Sequence, residues 1–381
     1  MSQASPVRFT REPVLNKNQA ITANRLIVHA PAIAPAVEAL TRVAEHWPDR
    51  YTVFLSLGRL VPTPDLLEWQ IPDNVMVEIP AQTLGHPLTQ QLVAHLAEGG
   101  TNMCLAWCEP GSPACSSQDW RFLLSDARKY AKAQSVTGLT LAWGLADSNG
   151  FDNAISHGYD GASGWFFLRG EPVARQLAPA HAQIVRLLNL VRMNKDIAEI
   201  EAVLKQDVAL SYKLLKYINS AGFGLMCEIQ SFRHAVTILG YDKLHKWLSL
   251  LLVSASHDPS AAALMQTAIA RGRFMERIGA KFFDKGESDN LFITGAFSLL
   301  DVLLGTGMRT VLEEMHLPDQ VAESLLGDDG VYSPFLKLAR ATESFDASML
   351  SEQVDALQLD CRDVNEAMLS GLAFADRLEL S

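Results

Sequence analysis

The feature that most constrains the fold is a change of period near the middle of the chain. Over the first half, short runs rich in β-branched and aromatic residues alternate with amphipathic stretches. The spacing predicts strands over Arg25 to His29, Tyr51 to Leu57, Val75 to Ile79, Asn102 to Trp107, Arg121 to Ser125, Leu139 to Leu145 and Gly164 to Leu168. Helical patterns such as Ile33 to His46 and Leu84 to Glu98 fall between them. Strands alternating with helices imply a mostly parallel sheet, and this many units predict a barrel. A complete eight-unit barrel takes about 250 residues, so the one expected here is abbreviated.

From about Leu177 the strand signal stops and helix punctuation takes over. Asp196 precedes Ile197, Ile200, Val203 and Leu204, with Glu199 three residues on as a capping-box partner. Asp207 opens a helix through Leu210, Leu214, Leu215 and Ile218, and Gly222 is placed to end it. Ser231 and Gly240 bracket another helix, and Asp242 can cap the apolar one that follows. The second half is therefore expected to be all-α. Pro172 and Pro179 mark the seam, which divides the chain into an α/β barrel domain over 1–175 and a helical domain over 176–381.

Charge excludes one class of partner. The net charge of −11 divides into −3 over 1–175 and −8 over 176–381, so neither half has the basic footprint of a nucleic-acid binder. The longest apolar run, Leu244 to Ala255, is broken by His245 and Lys246 and is far shorter than the roughly 20 residues that span a bilayer. No apolar block follows Arg8, Arg11 and Glu12, so no secretory signal is read there. Five cysteines (Cys104, Cys108, Cys115, Cys227 and Cys361) form an odd set that suits free thiols in a reducing compartment. The expected location is the cytoplasm, without membrane contact.

Specific stretches of the first half resemble a known family. Leu141 to Ala146, then Gly158-Tyr159-Asp160 and Ser163-Gly164-Trp165-Phe166-Phe167, are similar to the A-E-G-V-E strand and Q-G-Y-F-F segment of EAL domains, in the degenerate form of the YuxH-like (EAL-HDOD) family. Phe9 to Leu15 and Ala23 to His29 resemble that family's opening segments, and the likeness covers about residues 7–175. The resemblance implies a TIM-like barrel. In active EAL domains such a barrel hydrolyses cyclic di-GMP with two divalent metals, held by oxygen ligands at the C-terminal ends of the strands.

Position by position, the resemblance also implies that those ligands are lost. Arg25 stands at the EAL glutamate and His29 at its partner arginine; Ser56 replaces an Asn, and Ala106 and Trp107 replace two aspartates. Leu124 replaces a lysine, Trp143 and Ala146 replace two glutamates, and Ser163 replaces a Gln, which leaves Glu78 as the carboxylate among these positions. No metal site, cofactor or catalytic residue is expected. Arg25, Glu78 and Trp143 are the candidates for holding a ligand, because aromatic faces and a guanidinium can bind bases and phosphates without metal.

The second half resembles the HDOD domain over roughly residues 180–345. The resemblance rests on Asp207 to Ala221 with Gly222-Phe223-Gly224, then Ile229 to Gly240, Trp247 to Leu252, Phe292 to Asp301 and Leu317 to Leu326. The related HD hydrolases ligate metal through histidines and a His-Asp pair. By the resemblance that pair falls near Ser298 and Leu299, and the earlier histidine near Arg271 to Arg273. The literal His257-Asp258 pair runs into Pro259 and is read as a loop. Cys104, Cys108 and Cys115 lack zinc-ligand spacing, and Gly305-Thr306-Gly307 is read as a helix terminus.

The combined expectation is a signalling regulator or scaffold that is not an enzyme and works through protein contacts in a cyclic di-GMP-related pathway. By the resemblance its partners are signalling proteins such as diguanylate cyclases or sensor kinases. The alternative is a metal-independent receptor for cyclic di-GMP or another nucleotide. A residual metal phosphohydrolase built on His257 and Asp258 stands last.

Overall fold

The computed structural model describes residues 7–131, 138–168, 179–206, 231–253, 260–315, 317–327 and 329–377. Contacts divide the chain into two compact units, one of residues 1–169 with 340–373 and one of 170–339 with 374–381.

The first unit is a closed eight-stranded barrel with strands in chain order. They are β1 (Arg8–Asn16), β2 (Ile21–His29), β3 (Thr52–Ser56), β4 (Val75–Pro80), β5 (Met103–Ala106), β6 (Phe122–Asp126), β7 (Leu139–Trp143) and β8 (Gly161–Ser163). Successive strands from β2 to β8 pair in parallel, whereas β1 runs antiparallel to both of its neighbours. The expected barrel is present, and its brevity lies in the connections. Helices Ile33–Arg42, Pro87–Glu98 and Ser148–Ser156 cover parts of the barrel, but short 3-10 turns at Pro64–Glu68 and Pro113–Ser116 stand where longer helices could. In the first helix Ile33, Ala36, Val37 and Leu40 are buried, the spacing of one helical face packed on a sheet.

Two strand expectations need correction. β1 was not foreseen, because Arg11, Glu12 and Pro13 interrupt its apolar residues. The last strand is Gly161–Ser163 rather than Gly164 to Leu168. Gly164 adopts φ +130, which ends the strand, and Phe166–Leu168 form a 3-10 turn in which Phe166 stacks on Phe151 with ring centroids 4.8 Å apart. The aromatic run there marks a buried turn.

Closure at β1 is partial. β8 reaches only Val14, Leu15 and Asn16. The remaining edge is satisfied by residues more than 300 positions away: Phe9 N–H donates to Asn365 Oδ1 at 3.0 Å, and Arg11 N–H donates to the Thr342 carbonyl at 2.8 Å. Arg11 Nη2 also pairs with Glu343 Oε1 at 3.0 Å, with both side chains buried. An unpaired backbone donor inside a protein is costly, so residues 340–373 complete the barrel edge.

The second unit is helical throughout its described residues. Ser231 Oγ accepts from His234 N–H at 3.1 Å, and Gly240 breaks the helical run Phe232–Val253 with φ 76, as the sequence anticipates. Helices Ala261–Gly279 and Lys285–Phe297 cross closely at Gly272 and Gly295, where a Cβ on Gly295 would lie 2.7 Å from Gly272 Cα. Gly295→Val is therefore expected to lower the stability of this unit by about 2–3 kcal/mol through overpacking. Urea unfolding followed by far-UV circular dichroism checks this, and an unchanged midpoint would contradict the crossing as drawn. Among the described residues no helix is long and apolar enough to cross a membrane.

Candidate functional site

Inside the barrel, alternate residues point inward in layers. Val14, Ala23, Phe54, Met76, Cys104 and Leu141 belong to an apolar cluster that also includes Ala106 and Leu124. Two residues further along β2, β3, β4 and β7 stand Arg25, Ser56, Glu78 and Trp143. β3 and β7 end there, toward the C-terminal side of the parallel strands, where TIM-like barrels carry their sites.

Arg25 is the centre of this mouth. It is 1% exposed, with Glu78 at 2% and Glu12 at 5%. Its Nε and Nη2 donate to Glu78 Oε1 and Oε2 at 2.5 and 2.9 Å, and its Nη1 donates to Glu12 Oε2 at 2.8 Å. Glu12 also accepts from Trp143 Nε1 at 3.2 Å and from Ser163 Oγ at 3.4 Å. Burial works against the guanidinium's charge, but Glu78 and then Glu12 outweigh it, so the pKa of Arg25 is raised. A buried cation is tolerable only when its donors are matched this fully.

The three ligand candidates, Arg25, Glu78 and Trp143, thus meet at one place, and Glu12 joins them unforeseen. The residue types alone suggested one carboxylate at the mouth; the fold supplies two, both directed at Arg25. The alternation Thr10, Glu12, Val14 along an antiparallel first strand is the signal that could have revealed Glu12.

Aromatic rings cover the cluster. Trp107 and Trp143 meet edge to face at 4.9 Å, Arg25 Cζ lies 5.0 Å from the Trp107 ring centroid, and Trp107 holds the unusual φ of 62. Phe345 closes on both tryptophans at 5.8 and 5.6 Å and on Arg25 at 5.5 Å. Beside it a cavity of about 450 Å³ is lined by Arg8, His29, Arg59 and Asp346, among others.

His29 also accepts or donates a hydrogen bond at 2.9 Å with Thr10 Oγ1. Burial pushes it down to about 4, with Asp346 pulling upward and Arg59 and Arg8 further downward. The unfolded histidine, near 6.5, binds its proton more readily than the folded one. The stability that neutral His29 contributes is therefore complete above about pH 6.5 and is lost as pH falls toward 4. Over that window His29 is expected to remove up to about 1.4 kcal/mol per pH unit from the barrel, and His29→Asn to flatten the slope. Equal slopes in the two proteins, by denaturant titration at each pH, would contradict this.

In the helical unit, the positions that the resemblance matched to metal-binding histidines hold Arg271 and Ser298. Both are buried, and Arg271 Nη1 donates to Ser298 Oγ at 3.0 Å. The His257-Asp258 pair, Cys227, the seam around Pro172 and the stretch Asp207 to Gly224 lie outside the described residues. Gly305, at φ 59, caps the helix Leu300–Leu304, as expected of Gly305-Thr306-Gly307. Cys104, Cys108 and Cys115 are buried free thiols. Among the described residues no group of three or more His, Cys, Asp or Glu side chains could hold a metal ion.

Comparison with known proteins adds three findings. The HDOD domain model matches residues 177–305. The chain is 29% identical over 239 residues to the cyclic di-GMP phosphodiesterase CdgJ of Vibrio cholerae, covering 62% of this chain and 55% of CdgJ. It is 26% identical over 233 residues to the uncharacterized protein YuxH of Bacillus subtilis, covering 60% of this chain and 56% of YuxH. The aligned stretch thus spans a little over half the length of each relative. A solved manganese and cyclic di-GMP complex of Klebsiella pneumoniae BlrP1 aligns with 43% of this chain at 11% identity and TM-score 0.35, too loosely to place a ligand.

The name of CdgJ overturns one expectation. The expectation that the chain is not an enzyme rests on residue types lost at positions set by resemblance, which leave out Glu12. A relative of this similarity is a phosphodiesterase, so the expectation is withdrawn.

Proposed function

We propose, from the premise that this chain is an EAL–HDOD protein of the YuxH-like kind, that it is a cytoplasmic signal-transduction regulator in a cyclic di-GMP-related pathway. It works by binding signalling proteins, diguanylate cyclases or sensor kinases among them. The observation that carries this reading is the Arg25 cluster: both mouth carboxylates, Glu12 and Glu78, are bonded to an internal cation. The barrel is then a rigid body suited to presenting surfaces. The similarity to CdgJ supports the pathway. The test is affinity capture with the purified full-length chain, with the bound proteins identified. Reproducible retention of a diguanylate cyclase or sensor kinase that also binds the chain when purified is expected. Failure of every such purified protein to bind would overturn the reading.

A second reading is favoured by the relative's name and by the aromatic mouth: the chain itself engages cyclic di-GMP, as a metal-independent receptor or by hydrolysing it. Trp107, Trp143 and Arg25 offer ring faces and a cation within one opening. Calorimetric titration of the full-length chain with cyclic di-GMP, with chromatographic analysis for the linear dinucleotide, tests it. Neither heat nor product across the titration would rule it out.

A further inference from the structure

We infer that residues 344–347 form a built-in plug, seated in the barrel mouth in place of a ligand that combines a planar ring with a negatively charged group. The segment does two different things along its length. Thr342 and Glu343 are buried and bonded to Arg11, so they belong to the barrel wall. The residues that follow emerge: Phe345 is 39% exposed, and the chain is buried again only at Leu350. A short tip is thus tethered at both ends and exposed between them.

That tip carries the two chemical features that the mouth can receive. Phe345 places an aromatic ring edge to face against Trp107 and Trp143, over the Arg25 guanidinium. Asp346 places a carboxylate in the adjoining cavity with Arg8, His29 and Arg59. Ring packing of this kind contributes about 0.5–1.5 kcal/mol per pair beyond the area it buries, so a seated tip competes with any ring-bearing ligand. Inside the tip, Asp346 N–H bonds Ser344 Oγ at 3.1 Å and Ser348 N–H bonds Asp346 Oδ1 at 3.0 Å. Among the described residues these bonds stay within residues 344–348, so release breaks ring contacts and the ion environment of Asp346 but leaves the Arg11 brace in place.

The tip also has a covalent route to the helical unit. It follows two residues after the helix Ser333–Ala341, most of whose residues belong to that unit. Thr342 and Glu343, braced on Arg11, stand between this helix and the tip. Closure then lowers the apparent affinity of the mouth by the fraction of molecules that are open.

The test uses the full-length chain with a single 4-fluorophenylalanine at position 345, read by fluorine NMR, alongside cyclic di-GMP titration of the unmodified chain and of Phe345→Ala. The choice of probe rests on the second reading above, while the NMR experiment without ligand does not. Exchange between a packed and a solvent-exposed ring is expected, with cyclic di-GMP driving the ring outward and Phe345→Ala binding at least about tenfold more tightly. A single packed resonance at every ligand concentration, with equal affinities for the two chains, would overturn the plug and leave the messenger reading standing. Ring exchange with no cyclic di-GMP binding by either chain would support the plug and reject that messenger.

Discussion

Arg25→Met is expected to destabilise the barrel by about 3–5 kcal/mol, the cost of leaving buried charge without its partner. Two carboxylates would face each other at the mouth with no cation between them. The triple variant Arg25→Met, Glu12→Gln, Glu78→Gln removes all three charges and is expected to recover at least half of the loss. Six of the seven tryptophans, Trp47, Trp69, Trp107, Trp120, Trp143 and Trp165, lie in the barrel sequence, so tryptophan fluorescence during denaturant unfolding reports this unit. An Arg25→Met midpoint equal to that of the unmodified chain would mean that the cluster contributes nothing, and no recovery in the triple variant would mean that shape rather than charge is at stake.

The second large effect lies at the barrel edge. Glu343→Ala removes the carboxylate beside the buried Arg11 guanidinium and is expected to cost about 3 kcal/mol. It should also loosen the Arg11 N–H bond to Thr342, because the two contacts hold the same stretch against β1. Faster amide exchange at Arg11, with exchange in β3 and β4 unchanged, is the specific signature. Replacing both partners, as Arg11→Met with Glu343→Leu, should restore much of the stability, since an apolar pair of similar volume needs no charge matching. Unaltered exchange at Arg11 in Glu343→Ala would contradict the idea that residues 340–373 complete the barrel.

These two sites show what could be read from the residues and what could not. β2 to β7 were legible because each is a short apolar run ended by turn residues, the local signal that strands leave in a sequence. The described part of the helical half was legible from caps, with Asp196, Ser231 and Gly240 acting as they read. β1 was hidden because its inward positions include Glu12, a residue that looks like surface until Arg25 is placed opposite it. No local pattern announces a pairing of that kind, since the partners come from different strands. The return of residues 340–373 to the barrel was equally hidden: Asn365 and Thr342 meet β1 from the far end of the chain, and Ser344-Phe345-Asp346 reads as an ordinary loop. Arg25, Glu78 and Trp143 were picked out as a group by resemblance, and the fold brings them together, with Glu12 as the link between Arg25 and Trp143.

The role of Arg25 as the fixed cation of the mouth is tested most directly by titrating the full-length chain with cyclic di-GMP in the presence and absence of magnesium. With Glu12 and Glu78 bonded to Arg25, the two isotherms are expected to superimpose. Binding or turnover that arises only when magnesium is added would contradict this, because the carboxylates would then have to leave Arg25 for the metal.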